Sequence, residues 1–132
     1  MGFVEAFKAL GYSVDAPRAD WSAACETGVC LALWQKEIKH ERASSQFDSR
    51  VDADPIENWG MKPGNIKRMK HLEFALAKFD GQLDVIIVSG VPGVGFGDAD
   101  PWFPEKRKNN IWNVCFFNPQ TGHFKVQTSL RR

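Results

Sequence analysis

The chain has 132 residues, of which 43% are hydrophobic and 25% are charged, and its formal net charge is +1. This length favours one domain over residues 1–132, because two cores of half the size would each be marginally stable. The near-zero net charge excludes a uniformly basic or acidic protein, and no apolar stretch approaches the length of a membrane span.

Hydrophobic periodicity and turn residues divide the chain into alternating predicted elements. Apolar residues spaced three or four apart indicate helices, and short alternating or continuous apolar runs indicate strands. In chain order the prediction is a helix over residues 3–11, a hairpin over residues 18–39, a polar loop over residues 40–61 with a short strand near Phe47, a helix over residues 63–80, a buried strand over residues 83–89, a Gly-rich loop, and two strands over residues 111–117 and 123–130.

The hairpin is the clearest local signal. A two-residue turn at Thr27-Gly28 places Cys25 opposite Cys30, and Trp21 opposite Trp34. The face that carries these pairs consists of aromatic, small and thiol side chains, so we expect it to be buried in the core. The opposite face turns from apolar near the turn to polar at the open end.

The element order, α-β-β-α-β-β-β, predicts an α+β domain. It consists of a single layer of mixed, mainly antiparallel sheet with about five strands and two helices packed on it. In the helix of residues 63–80, one stripe is expected to face the core: Ile66, Met69, Leu72, Leu76 and Phe79.

The chain has an odd number of cysteines, Cys25, Cys30 and Cys115, and no secretory signal is recognised before them. Such a set predicts reduced thiols in a cytoplasmic protein. No histidine joins Cys25 and Cys30 at zinc-finger spacing, so all three are interpreted as buried thiols.

The open end of the hairpin carries a carboxylate on one strand and Glu37-x-Lys39 on its partner. Asp20 and Glu37 offer the oxygen ligands that Mg²⁺ prefers, and a lysine beside them can polarise a phosphate. This arrangement resembles that of the PD-(D/E)xK nuclease family over residues 3–90. The resemblance implies a Mg²⁺-dependent nuclease in which Asp20 and Glu37 bind the metal and Lys39 is the catalytic lysine.

Two features depart from the family pattern. Pro17 and Asp20 are not adjacent, and the loop of residues 40–61 is long. The alternative interpretation is a solvated strand end, where Arg18 and Glu37 form an exposed ion pair. The Trp-bearing stretches RADWSA, LALWQKEI and ENWGMKPGN are also similar to segments of small bacterial proteins, a likeness that implies no activity.

Charge is distributed unevenly along the chain. Residues 1–60 carry six Lys/Arg against ten Asp/Glu, a net charge of −4, whereas residues 61–132 carry eleven against six, a net charge of +5. Basic and aromatic side chains together suit single-stranded nucleic acid. The candidate contacts are Lys67, Arg68, Lys70 and His71 on the helix and Trp102, Lys106, Arg107 and Lys108 in the later loop. The alternative is an ordinary solvated helix face and loop.

These observations favour a nucleic-acid-associated binding protein. The divergent nuclease is one alternative, with Mg²⁺ as its cofactor. A second alternative is a small-molecule binding domain whose pocket is lined by Trp21, Trp34 and Trp59. The Gly-rich loop after residue 89 has no GK[ST] and no following helix, which excludes the common phosphate-binding loops.

Overall fold

The computed structural model describes residues 3–14, 21–40, 45–48, 63–89, 100–101 and 110–130. These ranges form two α-helices and eight β-strands. The helices are α1 (Phe3–Ala9) and α2 (Pro63–Lys78), and the strands are β1 (Ser22–Cys25), β2 (Gly28–Trp34), β3 (Ile38–His40), β4 (Ser45–Asp48), β5 (Gln82–Ser89), β6 (Asp100–Pro101), β7 (Asn110–Phe117) and β8 (Phe124–Leu130). A 3-10 turn, Gln35–Glu37, separates β2 from β3.

The strands form one mixed sheet in the order β1-β2-β5-β7-β8-β4-β3, with β6 paired to β5. The β2–β5 pair is parallel and the other pairs are antiparallel. The α+β class and the mixed, mainly antiparallel sheet are therefore confirmed. The prediction of about five strands is wrong, because seven strands lie along this path and the order includes β3, β4 and β6. The short strand predicted near Phe47 is present as β4. β3 comes from the end of the predicted hairpin, which the 3-10 turn interrupts, and β6 lies in the loop after β5, where hydrophobic periodicity gives little signal.

The sheet is strongly curled. Five strand-to-strand steps separate β2 from β3, which would place them about 24 Å apart in a flat sheet. Yet Trp34 at the end of β2 and Ile38 at the start of β3 are joined by the 3-10 turn, and four residue steps span at most about 14 Å. The far edge of the sheet must therefore come back towards the end of β2.

Alternation along β2 and β5 gives the domain two cores. We call the first the α2-side core: Val29, Leu31, Leu33, Ile38, Phe47, Leu72, Ala75, Leu83, Val85, Ile87, Trp112, Phe124 and Val126. We call the second the α1-side core: Ala6, Phe7, Tyr12, Ala23, Cys30, Ala32, Trp34, Ile86 and Val88. Because β2 is buried along its whole length, it separates the two cores and belongs to both.

The hairpin faces are as predicted, but the predicted register is wrong. Cys25 lies opposite Gly28, and Ala23 lies opposite Cys30, so the pairing is shifted by two residues and the connecting turn is Glu26-Thr27. A two-residue shift preserves the side on which each side chain points. Trp34 is accordingly buried, at 6% exposure, on the predicted face.

The buried face of α2 differs from the predicted stripe. Leu72 is fully buried, but Ile66 and Leu76 are 40% and 43% exposed. The buried positions are Asn65, Arg68, Leu72 and Ala75. This face is rotated by about one residue, because tertiary contacts of two polar side chains override the hydrophobic pattern. Within the described part of the chain, neither helix has the length and apolarity that crossing a bilayer requires.

Candidate functional site

The outer surface of β3, β4, β8 and β7 is polar, whereas their other surface belongs to the α2-side core. On β8, Phe124 and Val126 are buried, and the alternating Lys125 and Gln127 are exposed. The outward side chains surround a depression of about 250 Å³. We call it the polar groove, and its lining is Glu37, Lys39, Gln46, Phe47, Asp48, Cys115, Lys125, Val126 and Gln127.

Strand pairing arranges the outward side chains in two rows across the sheet. The first, which we call the amide row, runs from β3 to β7 in the order Lys39, Gln46, Gln127, Asn113. The second, which we call the charged row, runs in the order Asp48, Lys125, Phe116. Neighbours within a row are about 4.8 Å apart along the sheet, and the rows are about 6.6 Å apart along the strands.

A β-bulge at Cys115 gives each row its member on β7. Asn113 and Phe116 are three residues apart, so a regular strand would point them to opposite faces. The pairing register shifts between Val114 and Phe116, which places Phe116 directly opposite Lys125. The bulge therefore turns Phe116 to the polar surface, where it is 43% exposed.

Asp48 organises the charged row. Its Oδ1 lies 2.7 Å from His123 Nε2, and its Oδ2 lies 3.7 Å from Lys125 Nζ. The centroid of the Phe116 ring is 5.0 Å from that of His123 and 5.8 Å from Lys125 Nζ. These contacts hold an exposed aromatic ring beside a lysine, at the edge of a groove lined by amides.

The groove includes two of the three residues predicted to be catalytic. Glu37 and Lys39 both line it, but Glu37 ends the 3-10 turn, whereas Lys39 lies on β3. The turn interrupts the regular strand that the sequence predicts there. Asp20 lies outside the described residues, so its convergence with Glu37 stays a prediction. Across the part of the chain that the structure describes, no three His, Cys, Asp or Glu side chains form a metal-ligand cluster.

The basic helix α2 lies on the other side of the sheet from the polar groove. Lys70 is exposed and Lys67 is half-buried. His71 is also half-buried, and its Nδ1 shares a 2.6 Å hydrogen bond with Oγ of the buried Ser22. The structure therefore does not bring the predicted contacts on α2 and the polar groove into one surface.

Arg68 occupies a core position, in contrast to the surface contact that the sequence predicts. It is 6% exposed, and its guanidinium carbon lies 4.8 Å from the ring centroid of Trp21 and 4.7 Å from that of Phe124. Its Nη2 donates a hydrogen bond to Asn65 Oδ1 at 3.2 Å. Burial lowers the pKa of Arg68 to about 9, and the carboxylate of Glu37 partly counters this effect. Stacking between two rings makes Arg68 a bridge from α2 to β8.

Several other predicted residues fall outside the described ranges. They are Trp59, Trp102, Lys106, Arg107 and Lys108. Of the tryptophans proposed to line a pocket, Trp34 is part of the α1-side core and Trp21 packs against it while stacking on Arg68. Within the described residues these two rings serve packing.

Sequence reasoning missed Gln46, Asp48, Phe116, Lys125 and Gln127. Alternation in HFKVQTSL marks Lys125 and Gln127 as the outward residues of a strand, so this part of the site has a sequence signal. Phe116 has none, because the bulge that exposes it is not visible in NVCFF. The same bulge leaves Cys115 exposed, and Cys25 is half-buried, so the prediction of three buried thiols holds only for Cys30.

Comparison with known proteins gives the chain no relatives from which a function can be transferred. No protein-family model matches it, and neither a curated protein nor a solved structure shows significant similarity to it.

Proposed function

We propose that the protein binds single-stranded nucleic acid across the polar groove. The observation that carries this proposal is the exposed ring of Phe116, held beside Lys125 and next to a row of carboxamides on an otherwise well-packed sheet. Proteins that bind single strands combine an aromatic stacking surface with cations that contact the backbone. All three cysteines are free, which supports a reducing, cytoplasmic setting for this function.

The polar groove and the Phe116 ring beside it each match a part of an unpaired strand. The Phe116 ring offers a face on which a base can stack, and every base has such a face. Lys39 and Lys125 offer ammonium groups for phosphates, at opposite sides of the groove. Gln46 and Gln127 offer both donors and acceptors to base edges. A duplex keeps its bases stacked on one another, so it would lose the stacking contact with Phe116.

The charges of the groove predict a shallow dependence on salt. Lys39 and Lys125 are accompanied by Glu37 and Asp48, so the lining has no formal net charge. Two lysine contacts with a single strand predict that the logarithm of the association constant falls with the logarithm of salt concentration with a slope of about −1.4.

Fluorescence anisotropy with labelled single-stranded oligonucleotides of 12 nucleotides and mixed sequence tests the proposal. Phe116→Ala should weaken binding by roughly 5- to 150-fold, because stacking of one base contributes about 1–3 kcal/mol. Leu76→Ala is a matched control, since Leu76 is also 43% exposed but lies on α2, across the sheet from the groove. Lys39→Glu should weaken binding and make the salt slope shallower.

Two results would contradict the proposal. One is the absence of binding at low salt by protein that circular dichroism shows to be folded. The other is binding that Phe116→Ala and Lys39→Glu reduce no more than Leu76→Ala does. Preference for duplex over single strands would place any interaction elsewhere on the molecule.

A Mg²⁺-dependent nuclease remains a second candidate because Glu37 and Lys39 line the same groove. If this candidate is correct, the protein should nick DNA in Mg²⁺ or Mn²⁺, and Glu37→Gln and Asp20→Asn should each abolish nicking without loss of fold. Glu26→Gln, at the exposed hairpin turn, is the control. Equal nicking by Glu37→Gln and unaltered protein would reject this candidate while leaving strand binding intact.

A further inference from the structure

We propose that the amide row reads the base stacked on Phe116, and that the preferred base is adenine. This inference rests on the proposed function and specifies its ligand. It follows from the position of the bulge, the strand register and the chemistry of carboxamides.

The bulge places the aromatic ring in the charged row, beside the amide row. Phe116 is paired with Lys125, and Gln127 is the next outward residue along β8. Gln127 is diagonal to Phe116 across the strand pair, about 8 Å away, a distance that the long axis of a purine can span. A base on the Phe116 ring therefore extends its edge towards the paired residues Asn113 and Gln127, and Gln46 follows on the neighbouring strand.

The row favours adenine through the groups it contains. A carboxamide donates through its NH₂ and accepts through its carbonyl oxygen, which matches the N6 donor and N7 acceptor of adenine in a bidentate pair. Guanine presents two acceptors on the corresponding edge, O6 and N7, and is best matched by two donors of Arg or Lys. Lys39 is the row's cation, and it lies at the end away from Phe116, one strand beyond Gln46.

Homopolymeric oligonucleotides separate base reading from general strand binding. By anisotropy, A12 should bind more tightly than T12 or C12, because a pyrimidine offers a smaller stacking surface to Phe116 and has no N7 edge. Replacement of adenine by 7-deazaadenine keeps the stacking surface but removes the N7 acceptor, and should weaken binding by roughly 5- to 150-fold if one bidentate pair contributes about 1–3 kcal/mol. Ribose and deoxyribose versions of A12 distinguish RNA from DNA as the source of the base.

The variant Gln127→Glu keeps the shape of the side chain but replaces its donor with a second acceptor. It should reduce the preference for A12 over 7-deaza-A12 to near unity. Gln120→Glu introduces the same charge at an exposed position in the turn between β7 and β8, and it should leave the preference unchanged. Gln46→Glu tests the next member of the row in the same way.

The possible outcomes distinguish the inference from the proposed function. If every strand binds, Phe116→Ala weakens all of them, and A12 equals 7-deaza-A12, then base reading is rejected and strand binding stands. The same conclusion follows if Gln127→Glu behaves like Gln120→Glu. If no oligonucleotide binds the folded protein, the proposed function fails and the inference fails with it.

Discussion

Arg68 shows how the neighbours of a side chain decide whether it lies in the core or at the surface. It lies in a basic sequence, KRMKH, and by composition alone belongs to a solvated helix face. Its planar guanidinium fits between Trp21 and Phe124, which are far apart in sequence and meet only in the folded domain. A lysine would lack the planar stacking surface, so the position specifically suits arginine.

Tyr12 links the stability of the domain to alkaline pH. Its hydroxyl donates a 2.7 Å hydrogen bond to Asp84 Oδ2, and its side chain is 3% exposed. Burial, together with the hydrogen bond to Asp84 and the charge of that carboxylate, raises the pKa of Tyr12 well above its ordinary value. Above about pH 10 the unfolded chain therefore loses the Tyr12 proton while the folded domain retains it.

We expect the free energy of unfolding to fall as the pH rises above about 10, with Tyr12 contributing up to about 1.4 kcal/mol per pH unit. Tyr12→Phe should be less stable at pH 8 because it lacks the hydrogen bond, but its stability should fall less steeply. Urea unfolding at pH 8 and pH 10.5 measures the difference. Tyr12 is the single tyrosine, so ultraviolet absorbance reports its ionisation directly. Parallel loss of stability in both proteins would reject the link.

The larger elements were predictable from sequence, and their exact contacts were not. Both helices and the strands around residues 83–89, 111–117 and 123–130 have clear periodicity, and each is present. The hairpin register was missed because Thr27-Gly28 and Glu26-Thr27 turns bury the same faces, so patterning does not distinguish them. Only part of the polar groove could be predicted from the sequence, because the groove depends on a bulge and on the pairing of strands that are far apart in sequence.

The turn between β7 and β8 packs closely against α2 at Gly122. This glycine has φ of +85°, and a Cβ there would lie 2.7 Å from Asn65 Nδ2 and 2.8 Å from Asn65 Oδ1. Asn65 is fully buried at the start of α2, so its amide has little room to move. The absence of a side chain at Gly122 therefore lets α2 approach the strands that carry the polar groove.

Gly122→Ala should destabilise the domain by more than backbone strain alone. Gly11→Ala is the matched control, because Gly11 has φ of +94° and nothing within 4 Å of a Cβ. We expect a loss of about 1–2 kcal/mol for Gly11→Ala, and a further 1–3 kcal/mol, approximately, for Gly122→Ala through overpacking. Urea unfolding measures both. Equal losses would mean that Asn65 moves aside freely.

At the scale of the whole molecule, the curl of the sheet brings the end of β2 to the edge strand β3, which lines the polar groove. β3 follows β2 in the chain but pairs with β4 at the far edge of the sheet. A flat sheet would require a long connection instead of the 3-10 turn, so Glu37, which ends that turn, could not follow directly after β2. The groove is therefore a product of long-range topology, which local sequence patterns do not specify.

The same topology predicts that the two cores unfold together. β5 contributes Ile86 to the α1-side core and its neighbour Ile87 to the α2-side core, with exposures of 0% and 6%. Opening either core exposes one face of β5 and of β2, so it removes support from the other core.

Ile86→Val and Ile87→Val form a matched pair that tests this coupling. Each removes one buried methylene and should lower the free energy of unfolding by about 0.5–1.5 kcal/mol. Because the cores share β2 and β5, each variant should shift the transitions seen by circular dichroism and by tryptophan fluorescence to the same extent, with an unchanged dependence on urea. A second transition that responds to Ile86→Val but not to Ile87→Val would show that the α1-side core opens independently. In that case the polar groove, which is built over the α2-side core, should keep its ligand affinity after the α1-side core has unfolded.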